Sequence, residues 1–276
     1  MVWCTAIFLL LLVGATVMGL PLLWTALTSL KTYDQITTAF DAQWLPNPVV
    51  WRNYIDIFHV VPVTLYLRNS LFVVIASEFG ATVVCSLVAY AFAKIPFPGR
   101  DALFVVLLST MMMPWVVSMI PLFIMFDSLG WVPSMLPVII PRLLGHNPFY
   151  IFLLRQFFRG IPRELFDAAR IDGCSEIGTW RRIVVPISRP VLAVVVVFSF
   201  QQAWNEFMGP LIYMGSNRSL WTLLLGLYNF RGLEIGQDQL QYLMVLAVLL
   251  TMPMLLVVAR AQKHFVTSAV FSGIKG

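Results

Sequence analysis

Polar side chains are concentrated in one otherwise apolar stretch of the sequence, at Gln201, Gln202, Asn205 and Glu206. Their spacing predicts that they share roughly one face of a helix, because residues four apart lie on the same side. Phe200 and Trp204 stand beside them. Amides and carboxylates form hydrogen bonds with hydroxyl groups, whereas aromatic rings cover the apolar faces of a sugar ring. We therefore take as a candidate solute path the residues Gln201, Gln202, Trp204, Asn205 and Glu206.

Other interpretations of these polar groups stay open. A charge at the centre of a bilayer costs roughly 2.5 to 3.5 kcal/mol, so such groups usually face a cavity or a protein partner. They can equally join helices, bind a companion subunit or form a gate contact. The same choice applies to polar residues of other apolar stretches, namely Glu78, Arg142, His146 and Asn147.

Arg142 and His146 allow several interpretations. They suit either a site for an anionic solute, such as a sugar phosphate, or a structural ion pair with a group of opposite charge. A third interpretation is an exposed helix break near Gly145 and Pro148.

Most enzymatic chemistries lack their residue patterns in this chain. The sequence contains no Gly-x-x-x-x-Gly-Lys-Ser/Thr loop for ATP, no Gly-x-Ser-x-Gly elbow and no His-Glu-x-x-His pair. The histidines are far apart, at positions 59, 146 and 264. The cysteines at 4, 85 and 174 are scattered and imply no disulfide framework. We predict that this chain is not an enzyme, has no catalytic residues and binds no metal or cofactor of its own.

The overall composition places the chain in a membrane. Hydrophobic residues make up 59% and charged residues 11% of the sequence, and the mean hydropathy is +0.85. An ordinary soluble domain has roughly 25% charged residues. The net charge of +5 does not indicate nucleic-acid binding, because the basic residues are spread over short loops between apolar runs.

Apolar runs long enough to cross a bilayer as helices define the expected topology. A spanning helix needs about 20 mostly apolar residues. We predict six spans in one membrane domain of residues 1–276, at about 5–29, 69–93, 102–126, 133–157, 188–213 and 240–261. The first run is too long for the core of a signal peptide and lacks a basic lead-in, so we expect a retained membrane helix.

Basic residues predict the orientation, because cytoplasmic loops contain an excess of Lys and Arg. With Arg142 left inside the fourth span, one set of loops contains only Lys31, Arg52, Arg68, Arg218 and Arg231. The remaining Lys and Arg residues fall in the other set, which includes both termini and the loop 158–187. These parts are therefore predicted to be cytoplasmic, and the segments 30–68 and 214–239 to lie outside.

The loop 158–187 contains the largest charged segment of the chain. Pro162 suits the first turn of a helix, and Glu164 favours its positive end. We predict a helix from Glu164 to Ile171, ended by Asp172-Gly173. Ser175 is expected to cap a second helix that runs to about Ile183 and ends by Pro186. An alternative is an amphipathic loop lying on the membrane surface.

The spacing within this loop resembles a known family signature. Asp167-Ala168-Ala169, three residues, Gly173, nine residues and Ile183-x-Val185-Pro186 are similar to the EAA motif of binding-protein-dependent ABC importer permeases. That motif reads Glu-Ala-Ala, three residues, Gly, nine residues, Ile-x-Leu-Pro, so Asp replaces Glu and Val replaces Leu here. Resemblance to the MalG-like carbohydrate branch extends over most of the chain, through Asn53-Tyr54, Asn69-Ser70, 89–94, 151–157, 204–207, Pro210-Leu211 and 273–276.

The resemblance implies a fold, a function and a set of partners. It implies a type I (MetI-like) permease of six transmembrane helices, with a cytoplasmic coupling helix between helices 4 and 5. The expected partners are a homologous MalF-like permease, a cytoplasmic ATPase dimer that carries ATP and Mg, and an extracytoplasmic solute-binding protein in a bacterial or archaeal cell (inner) membrane. The residues expected to contact the ATPase or shape that contact are Glu164, Leu165, Asp167, Ala168, Ala169, Asp172 and Gly173.

A different class of transporter is the alternative. Glu78 and Glu206 lie in separate apolar stretches, and intramembrane carboxylates serve as proton or cation sites in ion-coupled secondary transporters. The two interpretations differ in their source of energy, which is a partner ATPase in one and an ion gradient in the other.

Overall fold

The computed structural model of the protein describes residues 2–37, 44–232 and 239–273. Throughout these ranges the chain is helical or irregular, with no strand. The predicted all-α class is therefore confirmed. Parts of the predicted outer segments (38–43 and 233–238) and the tail residues 274–276 lie outside the described residues.

The helices of the described residues follow one another with short connections. In chain order they are α1 (Val2–Thr28), α2 (Tyr33–Thr37), α3 (Asn53–Val60), α4 (Val63–Lys94), α5 (Arg100–Met112), α6 (Trp115–Ser128), α7 (Leu136–Leu143), α8 (Pro148–Arg159), α9 (Glu164–Ile171), α10 (Glu176–Ile187), α11 (Arg189–Trp204), α12 (Met208–Tyr213), α13 (Leu223–Gly232) and α14 (Leu240–Gly273).

Contacts divide the chain into two compact units. The first consists of Met1–Arg68 and Trp221–Leu255, and the second of Asn69–Leu220 and Leu256–Gly276. The single domain of residues 1–276 stays a prediction.

In the first unit, Asn53 fastens the start of α3 to the chain that leaves α1. Its buried Nδ2 donates hydrogen bonds of 2.9 Å to the carbonyls of Ser29 and Lys31. The hydroxyls of Ser29 and Tyr54 are 2.8 Å apart. The Asn53-Tyr54 pair is thus structural, because both residues hold the end of α1.

In the second unit, glycines let α4 approach the end of α7. A π turn at Gly80–Val84 widens α4, and a Cβ on Gly80 would lie 1.9 Å from the backbone oxygen of Arg142. At Gly145, with φ +77, a Cβ would lie 2.8 Å from Cγ1 of Val84. No side chain larger than hydrogen fits at Gly80 without moving backbone.

A core of apolar side chains runs through the second unit from α8 to the polar loop. Leu154 and Phe158 of α8 are fully buried and belong to one cluster with Tyr90 of α4, Phe166 of α9 and Val184 of α10. The loop helices are therefore packed onto the same core as the long helix α4.

Only some of the predicted spans are single helices in the structure. Within the described ranges, three helices are long and apolar enough to cross a membrane: Thr5–Thr28, Val63–Lys94 and Leu240–Ala261. Two pairs of helices are bent at a short break, α5 with α6 by 99° and α10 with α11 by 85°. If each bent pair is counted as one span, the number rises to five.

The predicted fourth span is not one helix. It consists of α7 and α8, separated at residues 144–147, where Gly145 adopts a left-handed backbone conformation and Pro148 starts the next helix. The helix break that we considered near these residues is confirmed. Six crossings stay a prediction.

Candidate functional site

The first candidate site is the polar helix pair α9 and α10. Helix α9 spans Glu164–Ile171, as predicted. Its end is closed by hydrogen bonds from the N–H groups of Gly173 to Arg170 O (3.0 Å) and of Cys174 to Ala169 O (2.9 Å). This is a Schellman motif, which requires a left-handed residue, and Gly173 supplies it with φ +71.

Helix α10 begins as predicted but runs further. Ser175 Oγ accepts a 3.1 Å hydrogen bond from the N–H of Gly178, which makes Ser175 the N-cap. The helical path then continues to Ile187, beyond the expected end near Ile183. A π turn at Trp180–Val184 precedes Pro186. The wider turn is consistent with a proline inside the helix, since its ring would otherwise crowd the preceding turn.

Most of the predicted coupling residues are exposed. Glu164, Leu165, Asp167, Ala168, Asp172 and Gly173 all face outward, whereas Ala169 is buried against the protein. Two apolar side chains extend this exposed surface: Ile171 is 87% and Ile177 69% exposed. The sequence analysis did not single them out, although isoleucines on either side of a helix-ending Asp-Gly pair are an available signal.

Phe166 anchors the helix pair to the end of α4. Its buried ring stacks on Tyr90 with centroids 6.3 Å apart. Lys94 Nζ lies 4.4 Å from the centroid of the same ring and donates a 2.7 Å hydrogen bond to Ile161 O. The Tyr90 hydroxyl donates a 2.5 Å hydrogen bond to Glu176 Oε2 at the start of α10. We call Tyr90, Lys94, Phe166 and Glu176 the α4 joint.

The second candidate site is a cavity of about 630 Å³ in the second unit. Its wall is mainly apolar, with several aromatic rings and a few polar groups, as is typical of small-molecule sites. The polar and aromatic lining residues that matter below are Ser77, Trp115, Arg142, His146, Asn147, Tyr150, Ser199, Gln202, Glu206 and Tyr213.

An ion pair occupies one side of the cavity wall. Arg142, in the last turn of α7, donates a 2.5 Å hydrogen bond through Nη2 to Glu206 Oε2. The other carboxylate oxygen of Glu206 accepts the N–H of Gly209 at 3.0 Å. Both side chains are about a quarter exposed. The structure thus pairs Arg142 with Glu206, and the structural ion pair left open above is present.

An amide network forms a second polar part of the wall. Asn147, the N-cap of α8, accepts the backbone N–H of Tyr150 through Oδ1 at 3.3 Å. Its Nδ2 donates to Gln202 Oε1 at 3.1 Å. The Tyr150 hydroxyl donates to that same oxygen at 3.1 Å. Two helices, α8 and α11, are linked by these bonds.

Glu78 of α4 is hydrogen-bonded to α11. Ser199 Oγ of α11 donates a 2.6 Å hydrogen bond to Glu78 Oε1 of α4. Glu78 Oε2 is buried and has no hydrogen-bond partner among the described residues. Glu78 does not itself line the cavity, although its neighbour Ser77 and its partner Ser199 do.

The structure brings part of the predicted path set together. Gln202 and Glu206 line the cavity. Gln201 and Asn205 are exposed elsewhere, with Asn205 Nδ2 donating to Gln201 O at 3.0 Å. Trp204 is buried and stacks on Phe200 with centroids 5.7 Å apart. The helix ends at Trp204, so the expected common face does not continue to Glu206.

Sequence reasoning missed most of the aromatic wall. Trp115, Tyr150 and Tyr213 come from three helices far apart in the chain, and no local pattern joins them. Among the described residues, no group of three or more His, Cys, Asp and Glu side chains is arranged to hold a metal ion.

Several transport permeases are similar in sequence to this chain over most of its length. It is 31% identical over 87% of its length to the arabinooligosaccharides transport system permease protein AraQ of Halalkalibacterium halodurans, covering 84% of that protein. It is 26% identical, over 94% of this chain and 85% of the other, to the diacetylchitobiose uptake system permease protein NgcG of Streptomyces coelicolor. The trehalose/maltose transport system permease protein MalG of Thermococcus litoralis is 28% identical, with 97% of each chain covered.

A solved structure and a family profile complete the comparison. The fold is similar to a crystal structure of a bacterial ABC transporter involved in the import of the acidic polysaccharide alginate, with TM-score 0.80, 20% identity and 96% of each chain covered. The profile of the binding-protein-dependent transport system inner membrane component family matches residues 81–269. The chain therefore belongs to this family of membrane transport permeases.

Proposed function

We propose that this chain is the permease subunit of an ATP-binding-cassette importer for a sugar or sugar derivative. It acts with a second, homologous MalF-like permease, and the two enclose the translocation path. Family membership supports the class, and relatives named for arabinooligosaccharides, diacetylchitobiose and trehalose/maltose support the solute. The cavity, with its aromatic rings and amides, supports the same assignment on chemical grounds.

One observation carries the mechanism: the exposed helix α9 packs, through the residues of the α4 joint, against α4, and α4 lines the cavity. Ser77, Ala81 and Cys85 of α4 belong to the cavity wall, and Tyr90 and Lys94 further along α4 hold Phe166. A push on α9 therefore reaches the cavity through one rigid element, because packed interiors transmit displacement.

The push comes from a cytoplasmic ATPase dimer, which binds ATP and Mg and docks on the surface of α9 and the following turn. In this proposal the docking residues are Glu164, Leu165, Asp167, Ala168, Asp172 and Gly173, while the buried Ala169 shapes the inner side. Closure of the dimer on ATP drives the path from inward-facing to outward-facing, and this chain binds neither nucleotide nor metal itself.

The membrane arrangement follows the distribution of basic residues. In this proposal the chain crosses the bacterial or archaeal cell membrane six times, through α1, α4, the bent pair α5 and α6, the pair α7 and α8, α11, and α14. Both termini and the loop 158–187 are cytoplasmic. A solute-binding protein docks from outside on the segments 30–68 and 214–239.

The ion-coupled alternative is not favoured. Glu206, one of its two carboxylates, forms an ion pair with Arg142 within this chain. Family membership also favours a permease driven by a partner subunit.

Purification of the assembled complex tests the proposal. We expect stoichiometric copurification with an ATP-binding subunit and ATP-dependent sugar uptake in liposomes. A complex in which Glu164→Lys and Asp167→Lys are combined should insert into the membrane but lose both ATPase binding and uptake. Arg181→Glu with Arg182→Glu, further along α10, tests whether a charge change elsewhere on the loop has the same effect. Gradient-driven uptake by this chain alone would contradict the proposal.

A further inference from the structure

The orientation of the Gln202 amide follows from a chain of hydrogen bonds. A backbone N–H can only donate, so the atom of Asn147 that faces the N–H of Tyr150 must be its oxygen. The Asn147 amide therefore presents its NH2 group to Gln202. That NH2 group requires an acceptor, so the atom of Gln202 that faces it must be the oxygen Oε1. No rotation of either amide satisfies the same contacts.

The Tyr150 hydroxyl reinforces this orientation. It donates to the same Gln202 Oε1 at 3.1 Å, so two donors hold one oxygen. Its ring is buried, with 4% exposure, which keeps the hydroxyl in place. The fixed amide leaves Nε2 of Gln202 with two N–H donors and no hydrogen-bond partner among the described residues, on a side chain that lines the cavity.

The charges of the cavity wall are compensated. Arg142 and Glu206 form an ion pair, and the second oxygen of Glu206 is taken by the N–H of Gly209. Arg142 Nη1 is buried and has no hydrogen-bond partner among the described residues, so it is not exposed to a solute in the cavity. The carboxylate and the guanidinium of the wall are thus already paired with each other, while His146 adds an imidazole and Trp115 and Tyr213 offer aromatic rings.

We propose that this chain contacts the transported solute directly, with the Gln202 Nε2 group donating to a hydroxyl or ring oxygen of an uncharged glycan. Asn147 and Tyr150 are positioning residues, because they act on the solute through Gln202. This inference rests on the proposed function and adds the solute class and the contact residue. An acidic sugar binds less well, since its carboxylate meets a wall in which Arg142 is already paired.

The test uses the complete complex with its binding protein in liposomes. The probes are tritiated maltotriose, arabinotriose and diacetylchitobiose, together with a trisaccharide of uronic acid. Kinetics are measured on the neutral sugar that the unmodified complex imports best. Gln202→Ala should lower kcat/KM about five- to tenfold, the usual effect of a lost hydrogen bond. Gln156→Ala is the matched control, and should leave kcat/KM unchanged because Gln156 is an exposed residue of α8 that does not line the cavity.

Two further variants separate donation from packing. Gln202→Glu keeps an oxygen for Asn147 and Tyr150 but has no N–H to donate, so it should lose as much as Gln202→Ala. Tyr150→Phe should lower kcat/KM about threefold when Gln202 is present and should have no further effect in a Gln202→Ala background, because it acts through that amide.

The outcomes are distinct. Normal uptake by Gln202→Ala, an unchanged Gln202→Glu variant or an equal effect of Tyr150→Phe in both backgrounds would overturn the contact. Preferred import of the uronic acid trisaccharide would overturn the solute class. Both results leave the proposed function intact, whereas a complex that imports no sugar at all overturns the proposed function and this inference with it.

Discussion

The hydroxyl of Tyr90 donates a 2.5 Å hydrogen bond to the carboxylate of Glu176, and so ties the cavity-lining helix α4 to the first turn of α10. The other carboxylate oxygen of Glu176, Oε1, lies 3.8 Å from Nη2 of Arg170 in α9. One carboxylate therefore connects three helices. Under the proposed function this contact lies on the route from the ATPase to the cavity.

Tyr90→Phe should weaken coupling without removing the ring that packs on Phe166. Loss of a hydrogen bond to a charged group costs about 1.5 to 3 kcal/mol. We expect ATP hydrolysis to continue while sugar moved per ATP falls severalfold in liposomes. Glu176→Gln should have a similar effect, and the double variant should be little worse than either single one. Strict additivity of the two substitutions would contradict the assignment.

Gly173 tests the turn between α9 and α10. A Cβ at this position meets nothing within 4 Å, but the backbone has φ +71, which costs a residue other than glycine roughly 1 to 2 kcal/mol. Asn tolerates this conformation better than branched residues do. Gly173→Asn should therefore retain most of the ATPase pull-down and uptake, and Gly173→Val should lose both. Equal behaviour of the two variants would show that backbone conformation is not the constraint.

Gly80→Ala should disrupt the approach of α4 to the end of α7. The new Cβ would lie 1.9 Å from the Arg142 backbone oxygen, so the two segments must separate. We expect a lower midpoint of thermal unfolding in detergent and lower uptake. Gly14→Ala in α1 is the control, since a Cβ there meets nothing within 4 Å. A variant of Gly80 as stable as the Gly14 control would rule out the close approach.

The Arg142–Glu206 pair should matter more for stability when one partner is removed than when both are. Removing one partner of a buried pair leaves an uncompensated charge and costs about 3 to 5 kcal/mol, and partial exposure reduces this to about 2 kcal/mol here. Arg142→Gln and Glu206→Gln should each lower the unfolding midpoint, and the double variant should recover part of the loss. A double variant less stable than both single ones would contradict this pairing.

Local signals predicted the polar loop well. The end of α9 depends on Asp172-Gly173 and the start of α10 on Ser175, and both features use hydrogen bonds between residues a few positions apart. The end of α10 was predicted too early, at about Ile183. Pro186 normally ends a helix, but a π turn and packing of Val184 in the core let it continue to Ile187.

The amino-acid sequence by itself determined the helical membrane class, the family and the loop, because composition, run length and motif spacing are properties of neighbouring residues. Tertiary structure alone decided that Arg142 forms an ion pair with Glu206, 64 positions away. It also decided that the Tyr150 hydroxyl donates to Gln202 and that the Tyr90 hydroxyl donates to Glu176 in the polar loop. Each of these contacts joins segments that are far apart in the chain. Hydropathy and periodicity describe which face of a helix is apolar, but only packing decides which helix that face meets.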